Sequence, residues 1–134
     1  MIMKKKILNN EKELLELAEI FGRSLNKKDI IILNGPLGAG KTCFVKGIAK
    51  SLGVKQMITS PTFNIVKEYE EKLCHIDAYR INDEDVGIDH YIDNGFIICI
   101  EWSNNIKDHI PYVNYEINID YVNEGRSIVI IKKG

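Results

Sequence analysis

The stretch "ILNGPLGAGKTCFVKGIAKSLG", residues 32–53, places a glycine-rich loop between an apolar run and an amphipathic helical pattern. Four residues satisfy the phosphate-binding pattern GxxxxGK[ST], namely Gly35, Gly40, Lys41 and Thr42. Gly38 adds a further position without a side chain, which leaves backbone N–H groups free to turn inward around a phosphate. We therefore predict a P-loop in which Lys41 reaches the β- and γ-phosphates and the Thr42 hydroxyl binds Mg²⁺. A purely structural glycine-rich turn is the alternative.

The residues on either side of this loop predict the strand and the helix that a P-loop joins. Residues 30–33, "IIIL", form a continuous β-branched run, as expected of a central parallel strand that is covered on both faces. After the loop, Phe44, Ile48 and Leu52 recur on one helical stripe, and Gly53 is a typical helix stop. The N-terminus of this helix would direct its partial positive charge at the bound anion.

The rest of the chain alternates between helical and strand patterns. Leu14, Leu17, Ala18, Phe21 and Leu25 predict an amphipathic helix, which Asn9 or Asn10 could cap. Strands are predicted at residues 2–8, 62–70, 73–81 and 96–102, a short helix at 83–92, and a terminal hairpin around "NEGR". These elements predict an α/β protein with a P-loop three-layer fold, a mostly parallel central sheet and antiparallel edge strands, formed by a single domain over residues 1–134.

Composition narrows the possible partners and location. The formal net charge of -1 gives no broad attraction to nucleic acid or anionic lipid. No apolar run approaches the length of a membrane span, and no secretory signal follows the N-terminal lysines, so we predict a cytoplasmic protein. Cys43, Cys74 and Cys99 are widely spaced, which favours buried reduced thiols over disulfides or a zinc site.

Hydrolysis of a nucleotide needs more than a P-loop, and three later stretches carry candidate residues. "SPTF", residues 60–63, could contact a γ-phosphate or be an ordinary turn. In "HIDAYR", alternation places His75, Asp77 and Tyr79 on one strand face, which is either functional or solvated rather than part of the core. Glu101 ends an apolar strand, where a carboxylate that binds Mg²⁺ or polarises water is expected, and Trp102 follows it.

These pieces, in this order, resemble the TsaE family (also called YjeE), the small bacterial P-loop ATPases of tRNA threonylcarbamoyladenosine synthesis. The resemblance covers residues 14–110 and rests on "GPLGAGKT", "SPTFNIVKEY", "HIDAYR" and "GIDHYIDNGFIICIEW". It implies the cofactors ATP and Mg²⁺, with Thr42 and Glu101 as metal ligands and Thr62, Asp77 and Glu101 as catalytic residues. The implied nucleotide-binding residues are Gly35, Gly38, Ala39, Gly40, Lys41, Thr42, Cys43 and Trp102.

The resemblance also implies partners. Family members work with TsaB and TsaD, so tRNA would be met only through the complex. This chain departs from the family pattern at Pro36, Cys43 and Ser103, and Pro36 removes one N–H donor from the loop. Because only Arg80 and Arg126 lie beyond the N-terminal helix, we expect slow hydrolysis that the partners accelerate. A small P-loop kinase and a nucleotide-gated binding module without hydrolysis are the alternatives.

Overall fold

The computed structural model describes residues 1–60 and 65–133. Within these ranges the strands are β1 (Ile2–Leu8), β2 (Ile30–Asn34), β3 (Val66–Tyr69), β4 (Leu73–Asp77), β5 (Ile97–Glu101), β6 (Tyr115–Val122) and β7 (Gly125–Lys132). The helices are α1 (Glu11–Gly22), α2 (Lys41–Ser51) and α3 (Ile88–Asp93), and a 3₁₀ segment covers Ser103–His109.

All seven strands form one sheet in the order β1-β7-β6-β2-β5-β4-β3. The four central strands β6, β2, β5 and β4 are parallel to one another, whereas β3, β7 and β1 join antiparallel at the edges. The predicted α/β class, parallel centre and antiparallel edges are therefore confirmed, and the terminal hairpin extends the sheet as expected. The carboxyl ends of the parallel strands share one edge, which is where ligands bind in open α/β sheets.

Two hydrophobic cores lie on opposite faces of the sheet. One contains the buried faces of α1 and α2, and the other contains the buried residues of α3 and the 3₁₀ segment. Along β5, Ile97 and Cys99 belong to the first core and Ile98 and Ile100 to the second. Because both faces are covered, the strand carries a continuous apolar run instead of an alternating pattern.

Several boundaries differ from the sequence predictions. The strand expected at 62–70 is Val66–Tyr69 within the described residues, and the first helix ends at Gly22, before Leu25. The helix expected at 83–92 begins only at Ile88, because Asp85 Oδ1 accepts the N–H of Gly87 in a turn and Gly87 has a φ of 87°. The strand expected at 73–81 ends at Asp77, so Tyr79 follows the strand and is exposed.

Over the two described ranges, none of the helices combines the length and the apolar character that crossing a bilayer requires.

Candidate functional site

The P-loop, residues 35–42, joins the end of β2 to the start of α2. Gly40 has a φ of 117°, and a Cβ there would lie 2.5 Å from Cδ2 of Leu14. Gly35 requires a bare backbone for a different reason, because a Cβ there would overlap the carbonyl oxygen of Ile119 in β6. These two glycines are therefore needed for packing of the loop against Leu14 and Ile119, in addition to their predicted role in phosphate binding.

Three buried side chains meet where the P-loop approaches the end of β5. Glu101 Oε1 lies 3.5 Å from Nζ of Lys41, and Glu101 Oε2 lies 2.7 Å from Nε2 of His75. Each of the three residues is less than a tenth exposed. Burial by itself raises the pKa of Glu101, but the interactions with His75 and Lys41 outweigh it and hold that pKa below its usual value. Glu101 is thus an ionised carboxylate held between a cation and a hydrogen-bond donor.

For His75, the solvated alternative for its strand face is wrong. The imidazole is completely buried, on the face of β4 that also carries Leu73 of the first core. Alternation of polar residues suggested solvent exposure, but the polar edge of this side chain is occupied by Glu101 from the neighbouring strand. A buried histidine with a carboxylate partner has the same sequence pattern as an exposed one.

Asp77 and Thr42 complete the set of predicted polar residues at this edge of the sheet. Asp77 ends β4 and lies beside Glu101 in the parallel register of β4 and β5. It is half-buried, and its Oδ1 accepts the N–H of Tyr79 at 3.0 Å. Thr42 lies half-buried in the first turn of α2, next to Lys41. The fold therefore brings two carboxylates and a lysine together from three separate segments, and Thr42 follows that lysine in the chain.

Trp102 flanks this group in an unusual backbone conformation. Its φ of 59° is left-handed, which costs a residue with a side chain about 1 kcal/mol or more. The indole centroid lies 5.3 Å from Nζ of Lys41 and 4.8 Å from the ring of Tyr79. A cavity of about 190 Å³ opens here, lined by Leu33, Asn34, Gly35, Lys41, Trp102, Ser103 and Asn104. The strained position thus places an aromatic face beside the P-loop lysine.

The β6–β7 hairpin supports the P-loop from the other side, which the sequence did not predict. The Tyr121 hydroxyl donates to the carbonyl of Leu37 at 3.1 Å, and Nε of Arg126 donates to the carbonyl of Ala39 at 3.0 Å. The Arg126 guanidinium also lies 4.4 Å from the centroid of the Tyr121 ring. A second cavity of about 260 Å³ adjoins this contact, lined by Asn9, Asn10, Glu11, Leu14, Gly38, Ala39, Gly40, Glu124, Gly125 and Arg126.

Substitution of Tyr121 by phenylalanine tests this support. Loss of one hydrogen bond to an exposed carbonyl, which water can replace, is expected to weaken nucleotide binding roughly threefold to tenfold. The measurement is nucleotide affinity by calorimetry. Tyr112→Phe is the matched control, because its hydroxyl donates to the carbonyl of Lys28 at 2.7 Å, away from the P-loop. Equal affinities for wild type and Tyr121→Phe would contradict the supporting role.

The predicted roles of three further residues, Ala39, Cys43 and Thr62, are not tested by the structure. Ala39 is buried, and its N–H donates to the carbonyl of Pro36 at 3.1 Å. Cys43 is buried with Sγ 3.7 Å from the carbonyl oxygen of Glu11, and burial raises the pKa of its thiol to about 11, so it is protonated at neutral pH. For both residues the contact with nucleotide stays a prediction. Thr62 lies outside the described residues. The prediction of buried free thiols is confirmed for all three cysteines.

Comparisons with known proteins give a consistent result. The sequence model of the family described as "Threonylcarbamoyl adenosine biosynthesis protein TsaE" matches residues 8–128. A Bacillus subtilis protein named tRNA threonylcarbamoyladenosine biosynthesis protein TsaE is 37% identical over an alignment of 115 residues, and the match covers 82% of this chain and 73% of that protein. The protein of the same name from Aquifex aeolicus is 43% identical over an alignment of 111 residues, and the match covers 79% of this chain and 81% of that protein. The crystal structure of YdiB from Bacillus subtilis matches with a TM-score of 0.85 and 30% identity, covering all of this chain and 88% of that one.

Proposed function

Because this chain belongs to the TsaE family, we propose that it is a Mg²⁺-dependent ATP hydrolase that acts in the synthesis of threonylcarbamoyladenosine in tRNA. The observation that carries the proposal is the contact between Lys41 and Glu101, at 3.5 Å, where the P-loop meets the end of β5. A phosphate-binding lysine and a carboxylate that holds Mg²⁺ are recurring parts of P-loop hydrolases.

The oxygen atoms at this position fit Mg²⁺. Thr42 offers a hydroxyl and Glu101 an ionised carboxylate, both of them hard oxygen donors. Across residues 1–60 and 65–133, no group of three or more His, Cys, Asp and Glu side chains could hold a metal ion. Such a sparse donor set suits Mg²⁺, which is usually bound by one or two protein oxygens together with phosphates and water. When bound, Mg²⁺ would neutralise charge on the transferring phosphoryl group.

Other groups of the chain bind the phosphates, position the attacking water and bind the nucleoside. Lys41 exchanges its contact with Glu101 for the phosphates, while the N–H groups at the start of α2 face the same anion. Asp77, beside Glu101 in the sheet, positions the attacking water. The nucleoside occupies the cavity between Asn10 and Arg126 on the hairpin side of the P-loop. Contact of Thr62 with the γ-phosphate stays a prediction, because residues 61–64 lie outside the described ranges.

Activation by partners follows from where the arginines lie. Arg23 pairs with Glu19 on α1 at 3.2 Å, and Arg126 is bonded to the backbone of the P-loop. Neither of these two is therefore available as a mobile arginine that neutralises the transition state, and the third arginine, Arg80, is exposed after β4 and would have to be ordered there. We propose that TsaB and TsaD supply or order the missing group, and that tRNA is met only through their complex.

The test is ATP hydrolysis by the purified protein, alone and with TsaB and TsaD, for wild type, Asp77→Asn and the exposed control Asp93→Asn. We expect slow turnover alone, at least about tenfold faster turnover with both partners, and normal behaviour of the control. Asp77→Asn should bind ATP but lose the stimulated rate. Fast turnover that ignores the partners would contradict partner activation. Binding of ATP without hydrolysis in any mixture would move the function to a nucleotide-gated binding module.

A further inference from the structure

We propose that His75 is a positioning residue, whose Nε2–H holds Glu101 in the orientation that binds Mg²⁺. This inference rests on the proposed function and adds a residue to it. It concerns the binding of the metal rather than the chemistry of hydrolysis, so it can be tested without measuring turnover.

His75 lies among residues of the hydrophobic core, and its polar contact is with Glu101. It lies in the middle of β4, completely buried, and its register partner in β5 is the buried Cys99. Leu73 and Cys99 belong to the core beneath α2. A carboxylate oxygen accepts hydrogen bonds, so in the 2.7 Å contact with Oε2 of Glu101 we take Nε2 of His75 as the donor. The direction of the hydrogen bond is thus fixed by the carboxylate.

The second ring nitrogen shows that core packing does not explain this residue. Among the described residues, Nδ1 of His75 has no hydrogen-bond partner although it is buried. A buried polar atom without a partner destabilises a protein, so an apolar side chain would fill the same space at lower cost. The hydrogen bond from Nε2 to Glu101 is what the imidazole adds at this position.

The two carboxylate oxygens of Glu101 have different partners, and we infer that they have different roles. Oε2 is held by His75 at 2.7 Å, whereas Oε1 faces Lys41 at 3.5 Å. When Lys41 turns to the phosphates, Oε1 becomes available to a cation while Oε2 stays fixed. His75 therefore keeps the carboxylate from rotating at the moment its other partner leaves. Hydrogen-bond partners of metal ligands commonly change metal affinity about 10–100-fold.

The experiment compares His75→Met, His75→Gln and His75→Asn by calorimetric titration with ATP, in excess EDTA and over a series of Mg²⁺ concentrations. Methionine fills the space without a donor, glutamine can place an N–H where Nε2 lies, and asparagine is polar but too short. We expect His75→Met and His75→Asn to lower the apparent Mg²⁺ affinity at least about tenfold. His75→Gln should stay within about threefold of wild type. ATP affinity in EDTA should change little in all three variants.

Thermal unfolding of each variant separates positioning from loss of structure. If His75→Met does not fold, the comparison of His75→Asn with His75→Gln decides the question. Equal Mg²⁺ dependence in wild type, His75→Met and His75→Asn would overturn the role of His75 and leave the proposed function intact. A wild-type protein whose ATP affinity does not respond to Mg²⁺ would instead overturn the proposed function, and this inference with it.

Discussion

Replacement of Lys41 by alanine is expected to reduce ATP hydrolysis at least about 100-fold and ATP affinity at least about tenfold. Lys41 is a buried cation at the start of α2, 7% exposed, so its charge acts where water screens it weakly. Its loss also leaves Glu101 without a neighbouring cation, which makes the site more repulsive to phosphate. The measurements are steady-state hydrolysis with TsaB and TsaD present, and calorimetric titration with ATP.

Lys46→Ala is the matched control for this experiment. Lys46 lies on the same helix, loses the same charge on substitution and is exposed. It should keep hydrolysis and affinity within about twofold of wild type, since surface charges contribute little. If Lys41→Ala retained half of the wild-type rate, the P-loop would not be the hydrolytic site.

The second large effect is expected from Glu101→Gln, which should lower Mg²⁺-dependent hydrolysis about 100–1000-fold. The variant keeps the shape of the side chain and removes the charge that would hold the metal. Without Mg²⁺, the substitution should raise ATP affinity instead of lowering it. Removing a negative charge 3.5 Å from Lys41 frees that lysine for the phosphates, so ATP affinity in EDTA should rise a few-fold. Calorimetry with and without Mg²⁺ measures both effects.

Glu68→Gln controls for the loss of a strand carboxylate that accepts a hydrogen bond. Glu68 in β3 accepts from the Tyr91 hydroxyl at 2.7 Å and lies outside the candidate site. It should leave both affinities unchanged. Parallel losses of ATP affinity in EDTA and in Mg²⁺ for Glu101→Gln would show that Glu101 supports the site structurally and does not hold a metal.

Local patterns predicted the centre of this fold well. The run "IIIL", the glycine spacing and the stripe on the following helix each depend on residues close in sequence, and each predicts one element. The P-loop pattern assigned Lys41 and Thr42, and the end of an apolar strand assigned Glu101, whereas the role of Asp77 was implied only by the resemblance to the TsaE family. Their roles as site residues remain predictions, which the substitutions above test.

Contacts between distant segments could not be predicted in the same way. The turn "NEGR" predicts a hairpin, but only the strand order shows that β6 lies next to β2 and therefore beneath the P-loop. The support from Tyr121 and Arg126 thus has no local signal. The burial of His75 was missed for a related reason, because its partner Glu101 is 26 residues away and on another strand.

Support of the P-loop by the β6–β7 hairpin sets the order in which the chain becomes able to bind nucleotide while a ribosome is making it. Tyr121 is synthesised 84 residues after Leu37, the residue whose carbonyl it holds. A growing chain therefore contains the whole phosphate-binding motif long before the backbone of β6 and the donors of the hairpin can shape it. Since a ligand stabilises the state that binds it, ATP is expected to stabilise the chain most after the hairpin has joined the sheet. Nucleotide binding at full affinity therefore requires that β6 and β7 are in place.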